Sequence, residues 1–423
     1  ARATLALEPL LAWRGPYDQR LARLLAFRTV PTGNAAIEAD LEMSLADALM
    51  SAGRALEAGQ AADRGAAAAA RSDDAGVAAR AALSVARAQL SGGDLDRGAA
   101  QAIVARERFH ALGDKLGVTR ALDVAASVER ARGHLSDARR LLDEALRIAR
   151  DLGDDPAIAR CAANLGTTLH MLGDSSGAFA CFDEAEKRLG AAGSRLNAAK
   201  LAGMRGGTHL DLGDWEQAEP LIEEALAVHR EAGLKLPVFM HLTSLARVRR
   251  GQKRLAECSA LYDEALKLAR ESGDGASIML AMGNIGTVQH DSGRLEEALA
   301  TFIAAAAEAR RLGLQGSYAL NLGNAGMTHM QLGRTDEARA ALQEATESLR
   351  KQGALRTMRA FNILKALFDT EARAGRADAA LAAAREATET SRALGLESSK
   401  DAGVAESARR LGKIAETGLL PGP

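Results

Sequence analysis

The sequence predicts an all-α protein built by repetition. Three observations carry that expectation. Glycine recurs every twenty residues. Apolar residues between the glycines fall three and four apart. Large side chains are scarce: aromatics make up 3% of the 423 residues, while alanine is roughly a fifth. A fixed period marks a repeat array, and three-four spacing marks amphipathic helices. A core so poor in bulky residues must be thin, or its helices must approach closely.

Glycine stands at 93, 113, 133, 153, 173, 193, 213 and 233, again at 273, 293, 313, 333 and 353, and then at 375 and 395. Gly53 opens the series, and Asp73 and Lys253 hold two slots that glycine leaves. Glycine best adopts the left-handed conformation that ends a helix. The chain therefore reads as helices of about 14 to 17 residues, near 25 Å long, alternating with glycine turns. No strand-like alternation competes.

The full unit is forty residues, because alternate helices differ. With Gly53, Gly93, Gly133, Gly173, Gly213, Lys253, Gly293, Gly333 and Gly375 as the turn inside each pair, small residues recur at three fixed places. Five after the turn come residues such as Ala58, Ala138, Ala178 and Ala298. Twelve after it come Ala105, Ala145, Ala185, Ala305 and Ala345. Seven before it come Ala46, Ala86, Ala126, Gly166, Gly206, Ala246, Gly286 and Gly326. Between the two small residues of the second helix sits a larger plug: Leu142, Phe182, Ile222, Tyr262, Phe302 or Leu342.

This constellation resembles the tetratricopeptide repeat. The best matches run from Asn164-Leu165-Gly166 through Gly173, Ala178, Phe182 and Ala185, and from Asn284-Ile285-Gly286 through Gly293, Ala298, Phe302 and Ala305. The resemblance spans residues 36–398 as nine repeats. It implies a right-handed α-solenoid, similar to the forty-residue variety of peptide-binding adaptors and of sensor arms in bacterial signalling ATPases. Two features depart from the family pattern. The tryptophan-like position of the first helix is small (Ala162, Ala202), and the usual proline after the second helix is mostly Gly or Ala.

Residues 1–35 read as a degenerate helix pair, Leu5–Trp13 and Arg20–Phe27 around Gly15-Pro16-Tyr17. The pair either caps the stack or continues one whose earlier part is missing. Residues 399–423 read as a capping helix over 399–414 followed by a frayed tail.

Composition excludes several classes of function. The net charge of −1 argues against a general polyanion binder, so no direct nucleic-acid partner is expected. Three cysteines, Cys161, Cys181 and Cys258, make a disulfide framework implausible and fit a reducing compartment. No run of residues suits a membrane span, and no secretory signal opens the chain. The expected location is the cytoplasm. There is no phosphate-binding loop and no zinc spacing. Gly323-Asn324-Ala325-Gly326 lies inside a helix, and the eight histidines are scattered over seven repeats. His209 and His329 share an inward position that suits packing. Cys161 and Cys181, on the two helices of one repeat, suit the core better than a redox pair. Glu223-Glu224 and Glu296-Glu297 suit solvated outer faces. No catalytic constellation and no cofactor are expected.

What remains is a surface. In a stack of helix pairs the first helices line the concave wall. Counting the small residue seven before the turn as position eight, the resemblance assigns the groove to positions 2, 5, 6, 9, 12 and 13, which form one helical stripe. That stripe carries Arg80, Arg87, Arg120, Arg130, Arg160, Asn164, Thr167, His170, Lys200, Arg247, Arg250, Asn284, Thr287, His290 and Asn324. Opposing acids in repeats two to six are few, chiefly Asp123 and Asp211. Arginine is also common on any solvated helix face. Asn164, Asn284 and Asn324 share position six, where the family's peptide-binding members use asparagine on the ligand main chain; an exposed Asn with local bonds is the plainer alternative. An amide both donates and accepts, as a peptide bond requires.

The expected function is non-enzymatic: binding of a protein or peptide segment, acidic in character, in the concave groove of a bacterial signalling or regulatory assembly. The rival is a sensor or oligomerisation arm of a larger regulator binding a small effector. Self-association is compatible with either.

Overall fold

A computed structural model describes residues 17–190, 194–399 and 401–420. Gly193 and the expected helix at Leu5–Trp13 lie outside them. Among the described residues every regular element is helical. The helix α1 spans Tyr17–Arg28 and packs on α2 through Leu24, Leu41 and Leu45. The nine predicted repeats follow as helix pairs. They are α2 (Ala35–Ser51) with α3 (Ala55–Ala69), α4 (Ala75–Gly92) with α5 (Leu95–Ala111), and α6 (Lys115–Ala131) with α7 (Leu135–Leu152). Next are α8 (Asp155–Met171) with α9 (Ser175–Leu189) and α10 (Arg195–Asp211) with α11 (Trp215–Glu231); α12 (Lys235–Gly251) and α13 (Leu255–Ser272) follow in sequence. The last are α14 (Gly275–Asp291) with α15 (Leu295–Arg311), α16 (Gln315–Gln331) with α17 (Thr335–Lys351), and α18 (Met358–Arg373) with α19 (Ala377–Leu394). A short 3-10 turn, Leu396–Ser398, leads to α20 (Ala402–Thr417), which packs on α19.

The turns explain the period. The glycines at 113, 133, 153 and 173 all take positive φ, and Lys253 takes the same conformation at φ 60. Four of the aspartates that follow such turns cap the next helix. The Asp94, Asp114, Asp154 and Asp174 carboxylates accept from the amides of Arg97, Gly117, Ala157 and Gly177. A carboxylate there satisfies an otherwise orphaned N–H and complements the helix dipole.

The core follows the small-large-small pattern. Ala138, Ala145, Ala178, Ala185, Ala305 and Ala345 are fully buried, as are the plugs Leu142, Phe182, Ile222 and Leu342. The chain forms two compact units, Ala1–Arg254 with Glu271–Asp274 and Leu255–Arg270 with Gly275–Pro423. In the first, each first helix also touches the next, from α2 to α12. Then α12 returns to touch α2, and the turn at Gly53 lies against Ser272 and Asp274. The first helices of this unit therefore surround a lumen. In the second unit Phe361, Ile363, Leu364 and Phe368 of α18 pack with Ala384 and Ala387 of α19 and with Leu411 and Ile414 of α20. No helix among the described residues is long and apolar enough to cross a membrane.

Candidate functional site

The forty-residue register puts Arg80, Arg120, Arg160 and Lys200 at one position of α4, α6, α8 and α10, all within the first unit. Arg80, Arg120 and Lys200 are exposed and Arg160 is half-buried. Arg87, Arg130, Thr167, His170, Arg247 and Arg250 also lie in this unit. Asn284, Thr287 and His290 of α14 and Asn324 of α16 belong to the second. The candidates are thus divided between the two units.

Four arginines of the basic stripe are answered by carboxylates one repeat away. Arg80 pairs with Asp40 and Arg87 with Asp47, each at 2.9 Å. Arg160 pairs with Asp123 at 3.3 Å and donates to Thr119 Oγ1. Arg247 pairs with Asp211 at 2.8 Å, and His170 Nε2 lies 3.5 Å from the same carboxylate. Asp123 and Asp211 are the acids that the sequence singles out. Asp40 and Asp47 are additional, because repeat one supplies them to repeat two. This corrects the picture of a largely unopposed basic wall.

Asn164 is also committed: its Nδ2 donates to Asp123 Oδ1 at 2.5 Å. Thr167 bonds back to the Ala163 carbonyl, and His170 Nδ1 lies 3.4 Å from Ser175 Oγ. In the second unit Thr287 bonds back to the Gly283 carbonyl. His290 Nε2 is buried there without a hydrogen bond.

Arg130 and Lys200 differ from the paired arginines. Arg130 reaches only the Thr168 hydroxyl, at 3.4 Å, and burial depresses its pKa despite the nearby Asp123. Lys200 is open to water at the lumen surface yet hemmed in by protein at longer range. Its pKa is lowered, first by that loss of solvent and then by Arg87, Arg160 and Arg130, with Asp123 opposing. Lys200 and Arg160 also edge a cleft of about 200 Å³ between α8 and α10. Asn164 and Asn197 share its polar rim, and Leu201 and Met204 its apolar side. A second hollow brings Arg20, Arg80, Arg87 and Arg120 together with Asp40 and Asp47. Arg20 and Asn197 carry no repeat signature that would have marked them.

The remaining reactive groups are built into the fold. Burial pushes the Cys161 and Cys181 thiols up to about 11, so both are protonated and weakly nucleophilic at neutral pH. His209 stacks on Phe179 at 4.6 Å. The second-helix residues Glu223, Glu224, Glu296 and Glu297 are exposed. Glu129, His134 and Asp137 bring ligand-type atoms within 4.8 Å of one another at the turn before α7. The positive charge there is already supplied by Arg132, 2.9 Å from Glu129.

Tetratricopeptide repeat profiles match residues 112–190, 237–310, 277–351 and 202–232, together more than half of the chain. No curated protein matches the sequence. Among solved structures, the chain is similar to the apo quorum sensor NprR from B. thuringiensis. The TM-score is 0.57 at 11% identity, over 82% of this chain and 97% of that one. It is similar to a Rap protein complexed with Competence and Sporulation Factor, with a TM-score of 0.53 at 13% identity, over 81% of this chain and 98% of that one. It is also similar to a signal-transduction ATPase with a tetratricopeptide repeat sensor from Pyrococcus horikoshii. There the TM-score is 0.55 at 12% identity, over 79% of this chain but only 52% of that one. At such identities the likeness is one of fold. Glycine turns, small-large-small packing and matched profiles all agree: the chain belongs to the tetratricopeptide repeat family.

Proposed function

We propose that the chain is a non-enzymatic interaction module that takes an acidic peptide segment along the lumen wall of its first unit, in a signalling or regulatory assembly. The observation that carries this reading is the set of cations left over on that wall. After Asp40, Asp47, Asp123 and Asp211 have taken their partners, Arg120, Arg130 and Lys200 have no ion-pair partner among the described residues. Uncompensated like charge opposes folding. An anionic segment relieves it and gains charge-assisted hydrogen bonds.

The test is fluorescence anisotropy with labelled peptides of equal length, rich in Asp/Glu, Ser/Gln or Lys. Acidic peptides bind best, and their affinity falls as salt rises. Arg120→Glu with Lys200→Glu weakens binding about tenfold or more, a loss of about 1.4 kcal/mol, with the helical circular dichroism unchanged. Equal binding of the three peptides overturns the reading.

The second reading, a sensor arm of a larger regulator, draws on the likeness to the signal-transduction ATPase, about half of whose chain this one spans. A nucleotide-binding domain encoded in the same reading frame would support it.

A further inference from the structure

The residue sixteen after the turn is buried in every repeat but one. Phe109, Ala149, His229, Ala309 and Leu349 hold that place in the core, whereas Leu189 of repeat four is half-buried. The cause is local. Gly190 stands where α5, α7 and α11 carry His110, Arg150 and Arg230 inside the helix. At φ 54 it ends α9 after 15 residues, against 18 in α7 and 17 in α11. The start of α10 is open in the same sense. Asn197 is exposed where α4, α6 and α8 bury Val77, Gly117 and Ala157. Here lies the cleft of about 200 Å³, walled by Ala159, Ala163, Leu189, Leu201 and Met204.

Size and lining select the occupant. An apolar cavity of about 150 Å³ takes up a benzene molecule, so this cleft has room for one leucine, methionine or phenylalanine side chain. It falls short of the roughly 300–1,000 Å³ of pockets that enclose a whole small ligand. Charge selects what lies beside the side chain. Arg160 at the edge is held by Asp123 at 3.3 Å, but Lys200 is exposed and has no ion-pair partner among the described residues. In an extended chain, residues two apart project on the same side, roughly 7 Å from each other. A carboxylate so placed beside the anchor comes within reach of the long Lys200 side chain. The exposed Asn197 amide at the rim can both donate to and accept from the main chain there.

We propose that the cleft between α8 and α10 is an anchor pocket for one apolar side chain, of leucine, methionine or phenylalanine size, on a bound peptide segment that carries an acidic residue beside it. The proposal adds a second chemical requirement to the ligand and rests on the reading of the lumen as a peptide site.

Fluorescence anisotropy of the full chain tests it with four labelled peptides of equal length. The central residue is Leu or Ala, and the flanks are rich in Asp/Glu or in Ser/Gln. The readout is the ratio of affinities for the Leu and Ala peptides, in which the contribution of the flanks cancels. Leu is expected to bind about tenfold or more tightly than Ala in either flank. Ala163→Phe, which fills the cleft, and Met204→Ser, which removes an apolar wall at a half-buried position, should each bring the ratio toward one. The unchanged helical circular dichroism of either variant suffices to interpret it. A ratio near one in the wild-type chain overturns the anchor pocket even where acidic flanks strengthen binding. A Leu preference undiminished in both variants overturns its placement in this cleft. A Leu preference that both variants diminish, with acidic and neutral flanks binding alike, keeps the pocket and removes the acidic-segment reading. Absence of binding by all four peptides overturns both.

Discussion

A Cβ on residue 166 would lie 2.7 Å from the Phe182 ring and 2.9 Å from the Ala178 carbonyl, so Gly166 and Phe182 fit only as a pair. Glycine inside a helix ordinarily costs about 0.5–1 kcal/mol relative to alanine. Here the sign reverses. Gly166→Ala is expected to destabilise by about 1–3 kcal/mol through overpacking. Gly207 lies in α10, where an added Cβ would meet nothing within 4 Å, and Gly207→Ala should stabilise by up to about 1 kcal/mol. Urea midpoints that move in the same direction for both variants would refute this packing register.

Lys253 holds the turn slot that glycine fills elsewhere, at φ 60, and its side chain is exposed. The left-handed conformation costs a residue with a Cβ roughly 1–2 kcal/mol, and glycine's extra unfolded-state entropy takes back part of the gain. Lys253→Gly is therefore expected to raise stability by about 0.5–1 kcal/mol, seen as a higher urea midpoint. A lower midpoint would mean that the lysine side chain contributes to the fold.

Glu371 is 1% exposed, held by Arg376 Nε at 2.6 Å and Gln343 Nε2 at 3.1 Å. Removing one partner of a buried pair strands the other charge. Arg376→Met should cost about 3 kcal/mol. Adding Glu371→Leu to that variant should recover most of the loss, whereas a double variant no better than the single one would assign the cost to lost arginine packing.

His229 Nδ1 donates to the Ala225 carbonyl at 2.7 Å, which leaves His241 Nε2, 3.2 Å away, as an acceptor. Burial, and then His229, lower the His241 pKa from 6.5 to about 4. Lys200 also bears on His229. The unfolded chain therefore takes up the proton first as the pH falls. Stability is whole above pH 6.5 and declines toward pH 4, by on the order of 3 kcal/mol. Denaturation curves across that window should show a shallower pH dependence for His241→Gln. An unchanged slope would place the acid sensitivity elsewhere.

The repeat is legible in the sequence because its determinants are local. Gly173, Ala178, Phe182 and Ala185 each sit where helix geometry and close packing require them, and a forty-residue register exposes all four. The first-unit wall is legible only in part. Periodicity places Arg80 and Lys200. It does not place the partners Asp40 and Asp47, because a pair between neighbouring repeats depends on how the helices cross. Spacing alone presents Asn164 as a free amide, but Asp123, one repeat back, already holds it. The cleft that Arg160 and Lys200 share lies between first helices of neighbouring repeats, and its depth depends on how those helices cross, which no local spacing encodes.

The meeting of α12 with α2 has a kinetic consequence. An open array of repeats admits a segment sideways along its length. A closed circuit leaves entry through an end of the lumen or by parting the seam. A short ligand with a free terminus associates by the first route, at a rate set by diffusion and charge. A segment held within a folded partner must wait for the seam to part, so its association rate levels off at the frequency of opening as its concentration rises. The same seam ties repeat one to repeat six. A mutation that frays α2 is then felt in α12, about two hundred residues along the chain, which a strictly nearest-neighbour array does not allow.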